Sequence, residues 1–513
     1  MNKLSNIDIL YSLIGVNRKL DRLARDITFT RSLDLVTISS NEHNDSRNKL
    51  ILNRFCFDII PRIQQNIQCL ILDPLLIDRV LCIGNYPKLR KLTLVNLQFE
   101  MASRIFNGKS SFIGTFQHQI SHLTVTIHDD STGERISKLS TNVFTTIFIM
   151  FTKLIYLHFN LKDSCRYLPK AYVDLPSTTC YSLNIVYLNV IVDGFDDCLC
   201  LLDGRLSQLH TFIVKVGTIN NTSKIMNKNT RILFNLKYFS LISCSTTIEY
   251  DNQIVPLLRQ MSQLEKLTLS LIVRNRTSFI DGTHLVNDIL SKMSYLHTFI
   301  FNIITEDVTM DEEHLPVPDD AKSGLIQRGY NVNCYVDYNV LSKAECHIYS
   351  IPFSMDSMEI RSSKFPGGLF LTVRDLCLQN YAHPFEHDFF ARISQAFPLL
   401  NKLSIYNISA QKKKLANQQN EHEQISSIIQ FSHLTILSLS WSYIDYYKQF
   451  LFDFNTHLPC LNTLYVKYKY LMIVTEYFTH DAARSHCSKV QHIVFDSEPM
   501  TYPENFYLYF PLL

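Results

Sequence analysis

The residues best spaced for chemistry are His383, Glu386 and His387, in the run His383-Pro384-Phe385-Glu386-His387. Two histidines four apart, with a carboxylate beside the second, are the ligands and base of a hydrolytic zinc site. That chemistry needs both imidazoles on one face of a regular helix, together with a third ligand. Pro384 stands between them, and a proline opens a helix instead of running through its middle. The run is therefore read as a helix start with surface histidines. The closest cysteine pair, Cys198 and Cys200, is C-x-C, and the chain has no C-x-x-C pair for zinc. Neither G-x-S-x-G nor G-x-x-x-x-G-K-[ST] occurs, and only 13 glycines are spread over 513 residues, too few for a phosphate cradle. Acidic residues and histidines occur singly, without a paired general acid and base. The expectation is a chain that is not an enzyme and takes no cofactor and no metal.

Composition narrows the class. Hydrophobic residues make up 46% and charged residues 19%, which is globular and not disordered. A formal net charge of +2 is nearly neutral for this length, so no whole-chain field draws in nucleic acid or acidic lipid. The thirteen cysteines are scattered, odd in number and without a framework, as expected of reduced, buried thiols. The sequence starts Met1-Asn2-Lys3-Leu4 with no apolar leader, and its most apolar stretch, Val143 to Phe151, is too short to span a bilayer. A cytoplasmic protein without membrane contact is expected, with the nucleus as a second compartment.

What must position any site is a repeat. The motif LxxLxL recurs along the whole chain, and its middle apolar residue serves as a marker. Copies fall at Leu70, Leu92, Leu123, Leu157, Leu188, Phe212, Phe239, Leu267, Phe299, Leu376, Leu403, Leu437, Leu464 and Ile493. Apart from one gap of 77, the spacings lie between 22 and 34 and centre near 28. Several copies are preceded by an apolar residue and then Ser, Thr or Pro, as in Phe151-Thr152, Leu206-Ser207, Met261-Ser262, Phe397-Pro398 and Phe431-Ser432. An apolar helix end, a chain-turning residue and a strand form one coil of a stack. No such coil buries its apolar face alone, so coils must stack.

On these residues the chain resembles the leucine-rich-repeat proteins. The resemblance implies an α/β solenoid, a horseshoe with a parallel concave β-sheet and convex helices, over residues 27–513 with about 14 copies. One family feature is displaced. The Asn or Cys expected five places after the marker is replaced by Leu97, His128, Lys162, Asp193 and Gly217, and only Cys244 fits. The expectation is a missing Asn ladder and irregular turns. The gap of 77 marks an irregular insertion at about 303–368. It opens on an acidic run from Glu306 to Asp320, read as a solvated loop, and continues through β-prone segments at 331–338 and 346–352, read as degenerate strands or an inserted hairpin. A polar loop with Lys412, Lys413 and Lys414 covers about 410–425.

Residues 1–26 read differently. Leu10, Leu13, Val16, Leu20 and Leu23 recur at helical steps. The run Val16-Asn17-Arg18-Lys19-Leu20-Asp21-Arg22-Leu23 resembles the second half of an F-box, whose pattern is Val-Asn-Arg-x-(large apolar)-x-x-Leu. The first part of an F-box, Leu-Pro-x-Glu and an apolar helix, is expected upstream of this sequence. By this resemblance the chain belongs with divergent F-box-like leucine-rich-repeat proteins, expanded in some invertebrates. The five apolar residues would dock on a Skp1-type adaptor within a cullin ubiquitin ligase, or else cap the first repeat. The solenoid would present an unknown target protein. Side chains just after the marker would face that target: Thr93, Thr124, His158, Asn189, Ser240, Thr268, Ser404, Ser438 and Tyr465. These positions are uncharged, and the flanking columns add only a few lysines and aspartates. Nucleic acid is therefore not expected as a partner. The alternative is a repeat scaffold unrelated to ubiquitin.

Overall fold

The computed structural model describes residues 5–36, 46–128, 134–162, 182–221, 234–309, 317–339, 343–412, 428–497 and 501–513. By internal packing the chain forms two units, Met1–Arg274 with Asn287–Phe299, and Asn275–Val286 with Ile300–Leu513.

The first unit holds strands β1 (Ser32–Asp34), β2 (Cys69–Leu72), β3 (Lys91–Leu97), β4 (His122–His128), β5 (Tyr156–Lys162), β6 (Tyr187–Gly194), β7 (Thr211–Thr218), β8 (Tyr238–Ser243) and β9 (Lys266–Val273). They pair in parallel, each with the next in chain order. The markers pair with one another along one unbroken row from Leu70 through Leu92, Leu123, Leu157, Leu188, Phe212 and Phe239 to Leu267. Every one of them is buried. Neighbouring strands lie about 4.8 Å apart, so each apolar rung is sealed by the rungs before and after it. A fully buried Leu or Phe is stabilised by about 1.5–3 kcal/mol relative to exposure. Helices return on the marker side: Phe144, on the helix Glu134–Met150, meets Phe159 of β5 edge-on at 5.6 Å.

Turns before the strands repeat as regularly as the rungs. The N–H of the first motif Leu donates to the carbonyl three residues earlier, Leu89 to Tyr86 at 3.0 Å, Leu154 to Phe151 at 3.2 Å and Leu264 to Met261 at 3.1 Å. A second contact ties coil to coil. The Arg90 carbonyl accepts from the N–H groups of both Ser121 and His122 at 3.0 Å, and Ser121, Ile155, Val186, His210 and Lys237 repeat the arrangement. In two of these turns the chain-turning residue, Pro87 or Thr152, is exposed while the apolar residue before it, Tyr86 or Phe151, is buried.

In the second unit, β10 (Thr298–Thr309), β11 (Val332–Asn339) and β12 (Lys343–Ser350) are antiparallel. After them come β13 (Ser357–Ile360), β14 (Asp375–Gln379), β15 (Lys402–Asn407), β16 (Ile429–Gln430), β17 (Ile436–Ser442), β18 (Thr456–His457), β19 (Thr463–Val466) and β20 (His492–Phe495). Strands β13, β14, β15, β17, β19 and β20 form a parallel sheet in that order, and β16 pairs with β18 beside it. Leu376, Leu403, Leu437, Leu464 and Ile493 again share one row. The architecture is mixed α/β with largely parallel sheets. No helix among the described residues is long and apolar enough to cross a membrane.

Three sequence expectations need correction, and one open alternative, degenerate strands or a hairpin, is decided. Two rungs went uncounted: Leu33 of β1 pairs with Leu70, and Met358 of β13 pairs with Leu376. Met355, Met358 and Ile360 keep the motif spacing, but methionine hid it. Inside the stretch taken for an irregular insertion, the β-prone segments form the antiparallel β11–β12 hairpin. Glu306 is not solvated; it lies on β10 and pairs with the guanidinium of Arg361, while 310–316 and 413–427 lie outside the described residues. Two asparagines, four places after their markers and not five, bond the coil before them. Asn380 donates to the Arg361 carbonyl at 2.7 Å and Asn407 to the His383 carbonyl at 2.8 Å, each reaching the preceding coil.

Candidate protein-binding surfaces

Three helices precede the first rung: α1 (Asn6–Leu13), α2 (Arg18–Ala24) and α3 (Ile27–Thr30). Ser5 and Asp8 form a reciprocal cap on α1, and the Asn17 side chain accepts from the N–H groups of Lys19 and Leu20 at the start of α2. Gly15 links the two helices with a positive φ of 82°, a conformation that disfavours other residues. Asp21 holds the corner by accepting the Gly15 N–H at 3.1 Å while pairing with Arg25 at 2.6 Å.

The five apolar residues sought as one docking face are divided by this packing. Leu10 is buried, as is Ile14, and the Arg54 guanidinium donates to the Ile14 carbonyl at 2.8 Å while lying over Tyr11. Leu10 thus belongs to the core, because α1 lies against the following helices and β1. Leu13 and Leu20 are half-buried. Only Val16 and Leu23 are exposed, at 58% and 54%, with Ile27 beside them at 51%. Arg18, Lys19, Arg22, Leu23 and Asp26 line an open cleft along α2. That cleft sets one apolar side chain, Leu23, among three basic residues and one acidic residue.

On the sheet face turned away from the helices, the residues after the marker do not present one surface. Ser240, Thr268 and Ser404 are buried, so these three are corrected from contact residues to packed ones. Thr268 is covered by the Tyr238 hydroxyl, 3.4 Å away. Thr93, Thr124, His158, Asn189, Ser438 and Tyr465 are half-buried, and burial lowers the His158 pKa. The surface is made instead by the residue before the marker. Across β3–β9 that row reads Lys91, His122, Tyr156, Tyr187, Thr211, Tyr238 and Lys266. Tyr156 stacks on Tyr187 with ring centroids 4.2 Å apart and on His122 at 5.7 Å. Lys266 Nζ lies 4.5 Å from the Tyr238 ring centre. Burial lowers the His122 pKa, aided by Lys91, and pushes the Tyr156 hydroxyl up to about 12. Laying the copies out in columns would have exposed this aromatic row; attention to the column after the marker missed it.

The second unit differs. Tyr406 and Trp441 pair across β15 and β17, and Trp441 is 54% exposed with Lys467 Nζ 5.7 Å from its ring. Nearer β12, Arg361 is enclosed by Glu306 and Glu359, the latter accepting from its Nε at 2.6 Å. Glu345 stands among them with Oε1 buried and without a hydrogen-bond partner. Burial pushes its carboxyl up to about 8; Arg361 opposes this, and Glu306, Asp337 and Glu359 add to it. Beneath lies a neutral knot in which Tyr335 donates to His347 Nδ1 at 2.7 Å and His347 Nε2 donates to Asn302 at 2.6 Å. Burial holds the His347 pKa down to about 3, so the ring is neutral. All three residues of the knot are buried.

Glu345 makes a pH prediction. Folded, it titrates near 8, against an ordinary 4.5, so between those values the folded chain holds the extra proton. The stability it contributes is complete below about pH 4.5 and is lost as pH rises through 8. Glu345→Gln, which mimics the protonated acid, is expected to stabilise the chain by about 1–3 kcal/mol at pH 9 and little at pH 5. Denaturant melts at both pH values check it; an equal effect at both would refute the assignment.

His383 and His387 do not share a helix. Glu386 caps the helix His387–Ala396, and His387 Nδ1 meets Gln449 at 3.2 Å. No cluster of three His, Cys, Asp or Glu suited to a metal occurs among the described residues. In comparisons with known proteins, no family model and no curated protein matches this chain.

Proposed function

We propose that this chain is a non-catalytic protein-binding adaptor, built as a leucine-rich-repeat solenoid. Its F-box-like helices would dock on a Skp1-type adaptor and so join a cullin ubiquitin ligase, with the solenoid holding the target. One observation carries the binding role: in the first unit apolar markers spaced about 28 apart pair in one buried row, which leaves the other face of that sheet out of the spine. Residues there can vary without disturbing the spine. The adaptor role draws on three apolar residues that the fold leaves exposed, Val16, Leu23 and Ile27, with Leu23 in a cleft it shares with Arg18, Lys19, Arg22 and Asp26. Exposed aliphatic residues ringed by charge are common at the centre of protein contacts.

A second reading has its own observation. Leu10 and Ile14 are buried, and Asn6 donates to the Ser32 carbonyl of β1 at 3.4 Å. This is how a cap would seal the first rung of a scaffold unrelated to ubiquitin. Co-precipitation with a purified Skp1-type protein separates the two. Retention is expected, and Val16→Asp with Leu23→Asp should weaken it at least about tenfold, as loss of central apolar contacts does. A wild-type chain that is not retained removes the ligase role and leaves the scaffold.

A further inference from the structure

We propose that the open sheet face of the first unit takes an extended, acidic segment of a partner protein, laid across β3–β9 and held through its carboxylates. This rests on the protein-binding reading above and adds the chemistry of the partner.

Ring orientation comes first. Tyr156 and Tyr187 are inclined by only 11°, and His122 and Tyr156 by 20°, with the stacking running along the row. Rings stacked on one another turn their faces to each other and their edges and hydroxyls outward. The edge is the positive pole of an aromatic ring. Both ends of the row are lysines, Lys91 and Lys266, and the ammonium of Lys266 is drawn over the Tyr238 ring at 4.5 Å, which keeps it on this face.

Counter-charge is absent from the two central rows of the face. Neither the row before the marker nor the row after it carries a carboxylate from β2 to β9; the first met is Asp34, beyond them on β1. Glu265, next to Lys266 in sequence, is held by Lys237 at 3.1 Å. Ring edges, hydroxyls and ammonium ends therefore favour an acceptor with negative charge. Six strand spacings separate Lys91 from Lys266, about 29 Å, which an extended segment of roughly nine residues would cover. A single-stranded nucleic acid is the poorer fit. Its bases need free ring faces to stack on, and the central ring, Tyr156, has both faces covered, by His122 and Tyr187.

The test is selection of random peptides of about twelve residues on the purified full-length chain, followed by anisotropy of the labelled winners. Peptides rich in Asp and Glu are expected, and raised salt should weaken them. Lys91→Glu with Lys266→Glu should cost at least about tenfold, as loss of close charge pairs does. The milder pair Lys91→Gln with Lys266→Gln serves should the reversal unfold the chain, which circular dichroism reports. Selection of neutral or basic peptides, selection of none, or equal binding by the charge-reversed chain would overturn the proposal. Oligothymidylate that binds wild type and displaces the peptides would replace the protein partner with nucleic acid. Retention on the Skp1-type protein is scored separately with the same lysine variants, which should be retained like wild type, so either idea can fail alone.

Discussion

Arg361→Met is expected to destabilise the second unit by about 3–5 kcal/mol, the cost of stripping the partner from a buried charge. Arg361 is only 12% exposed, and its partners Glu306 and Glu359 are 17% and 21% exposed. With the guanidinium gone, these carboxylates and Asp337 face one another in a site that water reaches poorly. Glu345, already lifted by burial, loses the one neighbour that lowers its pKa. The destabilisation should therefore shrink at pH 5, where Glu345 holds its proton. Hydrogen exchange followed by mass spectrometry should place the loss on β10, β12, β13 and β14. Adding Glu306→Gln and Glu359→Gln to Arg361→Met should recover part of it, since the charges then vanish together. A single variant with wild-type stability at pH 8 would show that the Arg361 cluster contributes little net energy.

Phe239→Ala should cost the first unit a comparable amount, about 3–5 kcal/mol. Phe239 is fully buried on β8 and lies 5.8 Å from Phe212 on the neighbouring rung, with Leu267 next in the row. Removing it opens a cavity that two adjacent coils border, and neither can close it without breaking register with the rest. Loss of exchange protection should start on β7, β8 and β9 and decline toward β2, because each rung is supported mainly by its neighbours. Thr124→Ala, on the open face of β4, is the matched control and should stay within about 0.5 kcal/mol of wild type. Equal losses for the two variants would contradict the division between a buried spine and a replaceable face.

Much of this was legible because a strand has a period of two and pairs at a fixed distance. An apolar triplet of the form LxxLxL, repeated about every 28 residues, places all fourteen markers on strands and thirteen of them in two common rows. Turn residues before each copy were legible for the same local reason: a buried apolar residue, then a polar one, then a first Leu whose N–H closes the turn. Less legible were copies written in other residues. Thr30-Leu33-Leu35 and Met355-Met358-Ile360 bury the same positions, but a search for leucine passes over threonine and methionine. The ladder asparagines were missed because Asn380 and Asn407 follow the marker by four and not five.

By itself, the sequence determined the spine: which residue of each copy turns inward, where each strand starts, and that copies align with one another. Those are consequences of spacing along one chain. Only the tertiary structure decided what each surface is. Leu10 and Val16 share a helical stripe on paper, yet packing of α1 onto β1 and the following helices buries one and exposes the other. Ser240 and Thr268 look open by strand alternation, yet Tyr238 from the adjoining column folds over Thr268. Glu359 and Arg361 are sequence neighbours, but Glu306 and Glu345 join them in one charged cluster only when β10, β12 and β13 come together. Exposure and charge pairing depend on neighbours from other coils, and those neighbours are set by the stack and not by the period.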